Sequence, residues 1–265
     1  MASRTGKNGN DKPIRLGVIG VGRGRSFAAG ATESVGMELV ALCDTWEERL
    51  REEGESLGVA TYTDYDEFLQ HDMDAVVLAN YFHEHAPFAI KALEAGKHVM
   101  SETMACKTLA EGVALCRAVE SSGKIYKFAE NYPYMRPCQE MRRLYRAGEI
   151  GDVRYAEGEY NHPMEEQGRL GISAGMKHWR NWLPPTYYCS HALAPLMYIT
   201  DTMPLKINAL SIEEERTQTP NTTKFADVGS VILARMDNGA VFRIWGLMLS
   251  SIHRVRYELH GDRGL

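Results

Sequence analysis

The chain has 265 residues, 44% hydrophobic and 25% charged, with a formal net charge of −5. That length suits two ordinary domains or one large one, and the balance is that of a globular protein, with no basic footprint for nucleic acid or an anionic membrane. No apolar run approaches the roughly 20 residues of a membrane span, and five cysteines without a C-x-x-C pair point away from a disulfide framework or zinc site and toward a reducing cytosol.

Residues 1–12 lack the apolar core of a secretory signal and read as a polar, disordered leader. Residues 14–20 are an apolar run that predicts a buried strand. The glycine turn Gly20-Val21-Gly22-Arg23-Gly24-Arg25 follows, then a small-residue helix from about Ser26. Residues 37–44 predict a second strand ending on Asp44. Asp64-x-x-Glu67 has the form of a helix-capping box. Residues 74–79 predict another strand, 85–95 a helix closed by Gly96, and 97–100 the next strand. Thr108-x-x-Glu111 caps a helix in which Leu109, Val113, Cys116 and Val119 recur at helical spacing, and residues 125–128 are one more short strand. Short apolar strands alternating with helices predict a doubly wound α/β domain with a parallel sheet covered on both faces.

In such sheets ligands sit beyond the carboxyl ends of the strands. Gly20 and Gly22 let backbone approach a pyrophosphate. Asp44, 24 residues after Gly20, is placed to accept hydrogen bonds from the adenosine ribose and to repel a 2′-phosphate, favouring NAD over NADP. The third position of G-x-G-x-x-G falls on Arg25, which predicts looser helix packing there, with Arg23 or Arg25 available to pair with the pyrophosphate.

Beyond Glu130 the pattern changes. Residues 137–147 read as a helix, 153–161 as a long strand, 163–185 as irregular, and 187–199 as a helix with Pro195 a kink or early break. Residues 206–213, 228–236 and 240–249 read as strands, the last two joined by the hairpin turn Asp237-Asn238-Gly239, and a further strand starts at Arg254. Hairpin-linked strands predict a mainly antiparallel sheet with one face on helices. The expected domains are a dinucleotide-binding Rossmann domain over 13–130 and a substrate-binding α+β domain with an open-faced sheet over 131–265. His83 and His85, two apart in a loop, have poor metal-ligand spacing, and no metal site is expected.

This order of features resembles the Gfo/Idh/MocA family of nicotinamide-dependent sugar and cyclitol oxidoreductases. The likeness rests on the glycine-rich opening, Asp44, the loop Asn80-Tyr81-Phe82-His83-Glu84-His85, residues 92–99, Gly148-Glu149-Ile150-Gly151 and the later strands. Members usually continue for some tens of residues beyond the point this chain reaches, so the resemblance implies missing closing strands. It also implies cofactor contacts from Gly20, Gly22, Arg23, Gly24, Arg25, Asp44, Asn80, His83, His85, Glu102, Thr103 and Asn131, and a homo-oligomer formed through the second sheet.

Most members carry Glu-Lys-Pro where this chain has Glu102-Thr103-Met104. Thr103 cannot stabilise a developing alkoxide as an ammonium would. Lys107 is close in sequence, but its place at a helix start speaks against that role. A smaller branch also lacks the lysine, the NAD-dependent α-N-acetylgalactosaminidase type. This sequence is similar to it at Glu130-Asn131-x-x-Tyr134, Tyr160-Asn161-His162, His178-Trp179-Arg180 and the segment from Tyr188 to Pro195. The branch implies Glu130, Tyr160, His162, His178 and Arg180 as sugar-binding residues. Tyr188 and His191, three apart, share one face of a helical turn, where they could remove a hydroxyl proton as hydride leaves the same carbon. Three activities follow: a net NAD-dependent oxidoreductase on a sugar or cyclitol-like substrate, a redox-neutral NAD-dependent glycosidase or lyase, and a non-catalytic sensing module.

Overall fold

The computed structural model describes residues 12–163, 178–213, 227–247 and 252–265. The expected leader and much of the irregular stretch 163–185 lie outside them. The chain divides into two compact units, Met1–Ala129 and Glu130–Leu265.

The first unit contains strands β1 (Ile14–Ile19), β2 (Met37–Cys43), β3 (Ala60–Tyr62), β4 (Ala75–Leu78), β5 (His98–Ser101) and β6 (Tyr126–Phe128). Its helices are α1 (Arg25–Gly30), α2 (Glu47–Leu57), α3 (Tyr65–Leu69), α4 (His85–Glu94) and α5 (Leu109–Ser122). All strands are parallel, in the order β3-β2-β1-β4-β5-β6. The strand order reverses between β1 and β4, so the Gly20 and Asn80 loops meet at the switch point where doubly wound sheets bind nucleotides. Both faces are covered. Leu16, Val18, Leu42 and Val77 pack under Ala28 of α1 and Leu50 of α2. Ile19, Ala41, Val76, Leu78 and Val99 pack against Phe68 of α3, Leu93 of α4 and Leu115 of α5.

Asp64 caps α3 through the Glu67 amide at 2.9 Å, and Thr108 with Glu111 forms a complete capping box on α5. The apolar recurrence on α5 marks its core face only at Val119, which packs against the core. Leu109 is 91% exposed and Val113 51%, while Leu115 is the fully buried side chain of the helix. Helix α2 has no legible apolar stripe, because only Leu50 and Gly54 of its 11 residues are buried.

The second unit contains α6 (Arg136–Arg146), β7 (Val153–Asn161), α7 (Ser190–Thr200), β8 (Pro204–Glu213), β9 (Asp227–Met236), β10 (Val241–Leu247) and β11 (Arg254–Gly261). Its sheet runs β11-β7-β10-β9-β8; β7 and β10 pair parallel and every other pair is antiparallel. The β9–β10 hairpin turns at Gly239, whose φ of 86° suits a residue without Cβ. Helix α7 lies on the sheet through Ala192, Leu196 and Ile199, against Ala156, Tyr160, Phe242 and Ile244. The close approach is possible because position 158 on β7 is glycine: a Cβ there would stand 2.2 Å from the Ala192 carbonyl oxygen. The expected helix over 187–199 begins later as α7, preceded by a 3-10 turn, Pro185–Cys189, and Pro195 is carried within it.

Candidate active site

The glycine loop of the first unit is shaped by contacts that exclude side chains. Gly20 has φ +94°, and a Cβ on it would stand 2.3 Å from the Ala79 carbonyl oxygen, which lets the ends of β1 and β4 converge. A Cβ on Gly22 would meet nothing within 4 Å, so this loop backbone borders open space. Gly24 does what the third glycine of the motif ordinarily does. Its amide donates to the Gly20 carbonyl at 2.8 Å, and a Cβ would collide with that carbonyl and with Val18. The loosening expected from Arg25 is therefore absent.

Neither arginine is held ready for a pyrophosphate. Arg23 pairs with Glu102 at 2.5 Å, and Arg25 pairs with Glu53 at 3.0 Å. Asp44 accepts the Val21 amide at 2.7 Å and the Trp46 amide at 2.9 Å, which fixes its carboxylate beside the loop. Asn80 donates to Glu84 at 3.4 Å, and its Oδ1 is buried without a hydrogen-bond partner among the described residues. An open glycine backbone, a fixed carboxylate and an orphaned acceptor at the switch point fit a dinucleotide.

Glu102 ends β5 as the acidic residue of the Glu-Thr-Met segment. Its second oxygen accepts the Thr103 amide at 3.3 Å, and both residues are buried. His83 sits in a 3-10 turn over Phe82–Glu84, and burial lowers its pKa. His85 is 1% exposed, and Nδ1 donates to the Met104 carbonyl at 2.8 Å, so it props the Glu102 loop from beneath. Lys107 remains by the helix start, 4.0 Å from Glu111.

Burial lowers the His85 pKa below its ordinary 6.5, outweighing the Met104 hydrogen bond. The folded chain keeps this imidazole neutral where the unfolded chain binds a proton, so stability should fall as pH drops below 6.5. In His85→Gln, which retains a donor for Met104, urea melts from pH 7.5 to 5 should lose up to about 1.4 kcal/mol per pH unit of that dependence. An unchanged acid limb would contradict this role.

The second unit gathers an acid, histidines and phenols around His191. His191 opens α7, and its Nδ1 lies 2.7 Å from Glu130 Oε1, with the two side chains 10% and 4% exposed. Glu130 also accepts the Tyr132 amide at 3.3 Å. Glu130 thus holds His191 through Oε1, while its Oε2 is buried with no hydrogen-bond partner among the described residues. A carboxylate on Nδ1 favours the tautomer with the proton there and leaves the Nε2 lone pair available to accept one. Tyr257 donates to the His191 carbonyl at 2.6 Å and anchors the first turn of α7.

Three phenols frame the imidazole. Ring centroids of Tyr132 and Tyr160 each lie 4.7 Å from it, and that of Tyr188 5.5 Å. Burial pushes the Tyr160 pKa up, so that hydroxyl keeps its proton and serves as a donor, not a base. Burial also pushes Cys189 up to about 11, which leaves a thiol and no thiolate nucleophile. His178 caps a 3-10 turn by accepting the Arg180 amide at 3.3 Å, so one of its nitrogens has a structural task. Arg180 stacks over Trp179, with its guanidinium carbon 4.4 Å from the ring centroid, and faces Tyr188 at 5.8 Å. His162 lies edge-on to Tyr160. Asn131 is exposed at the start of the 3-10 turn Tyr132–Tyr134.

The structure therefore brings Glu130, Tyr160, His162, His178, Arg180, Tyr188 and His191 into one aromatic group. Sequence reasoning missed Tyr132, His253 and Tyr257. His253 reaches the group through the pairing of β11 with β7, and its ring lies 4.9 Å from that of His162. No local motif marks it. Among the described residues, no group of three or more His, Cys, Asp or Glu side chains could hold a metal ion.

Residues 14–130 match the family described as "Oxidoreductase family, NAD-binding Rossmann fold", and residues 138–265 match the "GFO/IDH/MocA C-terminal domain". Similar curated proteins include glycosyl hydrolase family 109 protein 1 of Shewanella sp. (strain ANA-3) and an alpha-N-acetylgalactosaminidase of Shewanella oneidensis. Each is 29% identical over 198 residues, covering 69% of this chain and 43% of the relative. The chain thus spans less than half the length of these relatives. Among solved structures, myo-inositol 2-dehydrogenase from Lactobacillus plantarum has a TM-score of 0.77 at 22% identity, covering 96% of this chain and 75% of that one. The WlbA dehydrogenase from Bordetella pertussis, in complex with NADH and UDP-GlcNAcA, has a TM-score of 0.79 at 22% identity, covering 94% and 76%. At that identity these two likenesses speak to fold.

Proposed function

This chain belongs to the Gfo/Idh/MocA oxidoreductase family, and from that premise we propose that it is an NAD-dependent oxidoreductase acting on a hydroxyl-bearing carbon of a sugar or cyclitol-like substrate. The observation that carries the proposal is the buried Glu130–His191 pair. It supplies a proton acceptor in a chain that has Thr103 in place of the lysine of most relatives. The nucleotide, when bound, supplies the hydride acceptor.

The chain's own residues do the rest. The Gly20–Gly24 loop admits the pyrophosphate backbone, and Asp44 receives the ribose hydroxyls and disfavours a 2′-phosphate. Glu102, oriented by Arg23, and the Asn80 acceptor serve the nicotinamide side. His191 Nε2 takes the substrate hydroxyl proton while Glu130 stabilises the imidazolium that forms. Tyr160 and Tyr188 donate hydrogen bonds to sugar oxygens.

The redox-neutral reading, in which oxidation, elimination, addition and re-reduction remove an aglycone, is favoured by the same absence of lysine and by relatives named as glycosidases. We further propose a cytosolic protein that self-associates through the outer face of β8 and β9. Leu210, Val231 and Leu233 are 78%, 37% and 44% exposed there. No helix among the described residues is long and apolar enough to cross a membrane.

The test follows NADH absorbance and aglycone release together on free sugars and aryl glycosides, with NAD and NADP compared. Expected is NADH rising with free sugar, at a kcat/KM at least about tenfold higher with NAD than with NADP. Aglycone without net NADH would instead establish the redox-neutral cycle. Neither signal, with nucleotide bound, would leave a sensing module.

A further inference from the structure

The aromatic group around His191 holds one guanidinium, Arg180, against aromatic rings. Tyr160 and His162 share one face of β7. Glu159 points to the opposite face, where Arg254 holds it at 2.8 Å. Beside Tyr160 and His162 stands His253, one residue before the Arg254–Asn161 pair, and Arg180 joins them across Tyr188, whose ring lies 6.4 Å from that of Tyr160. Among the described residues Arg180 meets no carboxylate. Its partners are the faces of Trp179 and Tyr188. Glu130, the carboxylate packed into this group, is already taken up by His191.

A guanidinium flattened on an indole is pre-organised, weakly hydrated and keeps its edge N–H groups free, the arrangement that receives a planar anion by two parallel hydrogen bonds. A neutral sugar would leave that charge unanswered. We propose that the substrate of this site carries an anionic substituent, received by Arg180 with His162 and His253 as flanking donors, which makes it a sugar acid or a sugar phosphate. This rests on the sugar-binding reading above and narrows its substrate class.

Isothermal titration of the full chain with D-galacturonate, D-galactose 6-phosphate and D-galactose, in the presence of NAD, tests it. At least one anion should bind more than about tenfold tighter than the neutral sugar, the worth of a charge-assisted hydrogen bond. A preference for the uronate marks a carboxylate source, and one for the phosphate a phosphoryl source. Arg180→Gln should erase the preference while NAD affinity stays unchanged, and Arg180→Lys should retain part of it. Equal affinities for all three ligands, no binding of either anion, or a preference that survives Arg180→Gln would overturn the inference. The two failures are distinguishable. If NAD binds and a neutral sugar turns over without anion preference, only the substrate class falls. If no turnover occurs and the anion still binds through Arg180, the oxidoreductase reading falls and the anion subsite stands.

Discussion

His191→Ala should lower turnover by about 10²–10⁴-fold, the usual contribution of a positioned general base, with little change in NAD affinity. In the proposed mechanism the base is the Nε2 lone pair, left available because Glu130 holds the proton on Nδ1 across 2.7 Å. Glu130→Gln keeps the shape of that contact and removes its charge. The amide can present N–H to Nδ1 and favour the wrong tautomer, and it no longer balances the imidazolium. Turnover should fall by a factor approaching about 10⁴, as when the orienting carboxylate of a Ser-His-Asp triad is neutralised. Because the two residues act as one unit, the double variant should be scarcely worse than His191→Ala alone. Single-turnover rates with circular dichroism as a fold control decide the matter. Wild-type rates in either single variant would remove this pair from the chemistry.

Gly158→Ala should destabilise the second unit and weaken catalysis together. The new methyl would sit 2.2 Å from the Ala192 carbonyl oxygen and 3.3 Å from a Leu196 methyl, so α7 must shift away from the sheet. Overpacking of this kind costs about 1–3 kcal/mol, roughly 2–4 °C of melting temperature per kcal/mol in a chain of this size. Ala192 follows His191 directly, so the same shift displaces the imidazole from Glu130 and lowers kcat. Gly30→Ala is the matched control, since a Cβ there would meet nothing within 4 Å. A Gly158→Ala protein that melts and turns over like the Gly30→Ala control would mean that α7 does not lie this close to β7.

The doubly wound half was legible because its strands are continuous apolar runs such as Ile14–Ile19 and Ala75–Leu78, closed by glycines and caps whose chemistry is local. Helix α2 was not, because a helix that buries two residues leaves almost no periodic signal. On α5 the signal misled: Leu109 and Val113 recur with the right spacing, yet they face solvent while the helix seats itself through Leu115. Spacing reports that a face exists and not which face the neighbouring elements leave room for. In the site, His191, Tyr188 and Arg180 could be picked out because they lie in short recurring motifs. Glu130 was picked out without its hold on His191, since that partner is 61 residues away.

The sequence by itself determined the two-part organisation, the glycine loop with its acid at Asp44, the missing lysine at Thr103 and the segment bearing His191. Each of these is written in neighbours along the chain or in spacing. The tertiary structure alone decided that Gly24 takes over the packing of the absent third glycine, that Arg23 is committed to Glu102, that His85 is a buried prop, that Glu130 orients His191, and that His253 joins the site from the far end of the second unit. These depend on side chains meeting across strand pairing and helix docking, where the partner is chosen by distance in space and no local pattern records it.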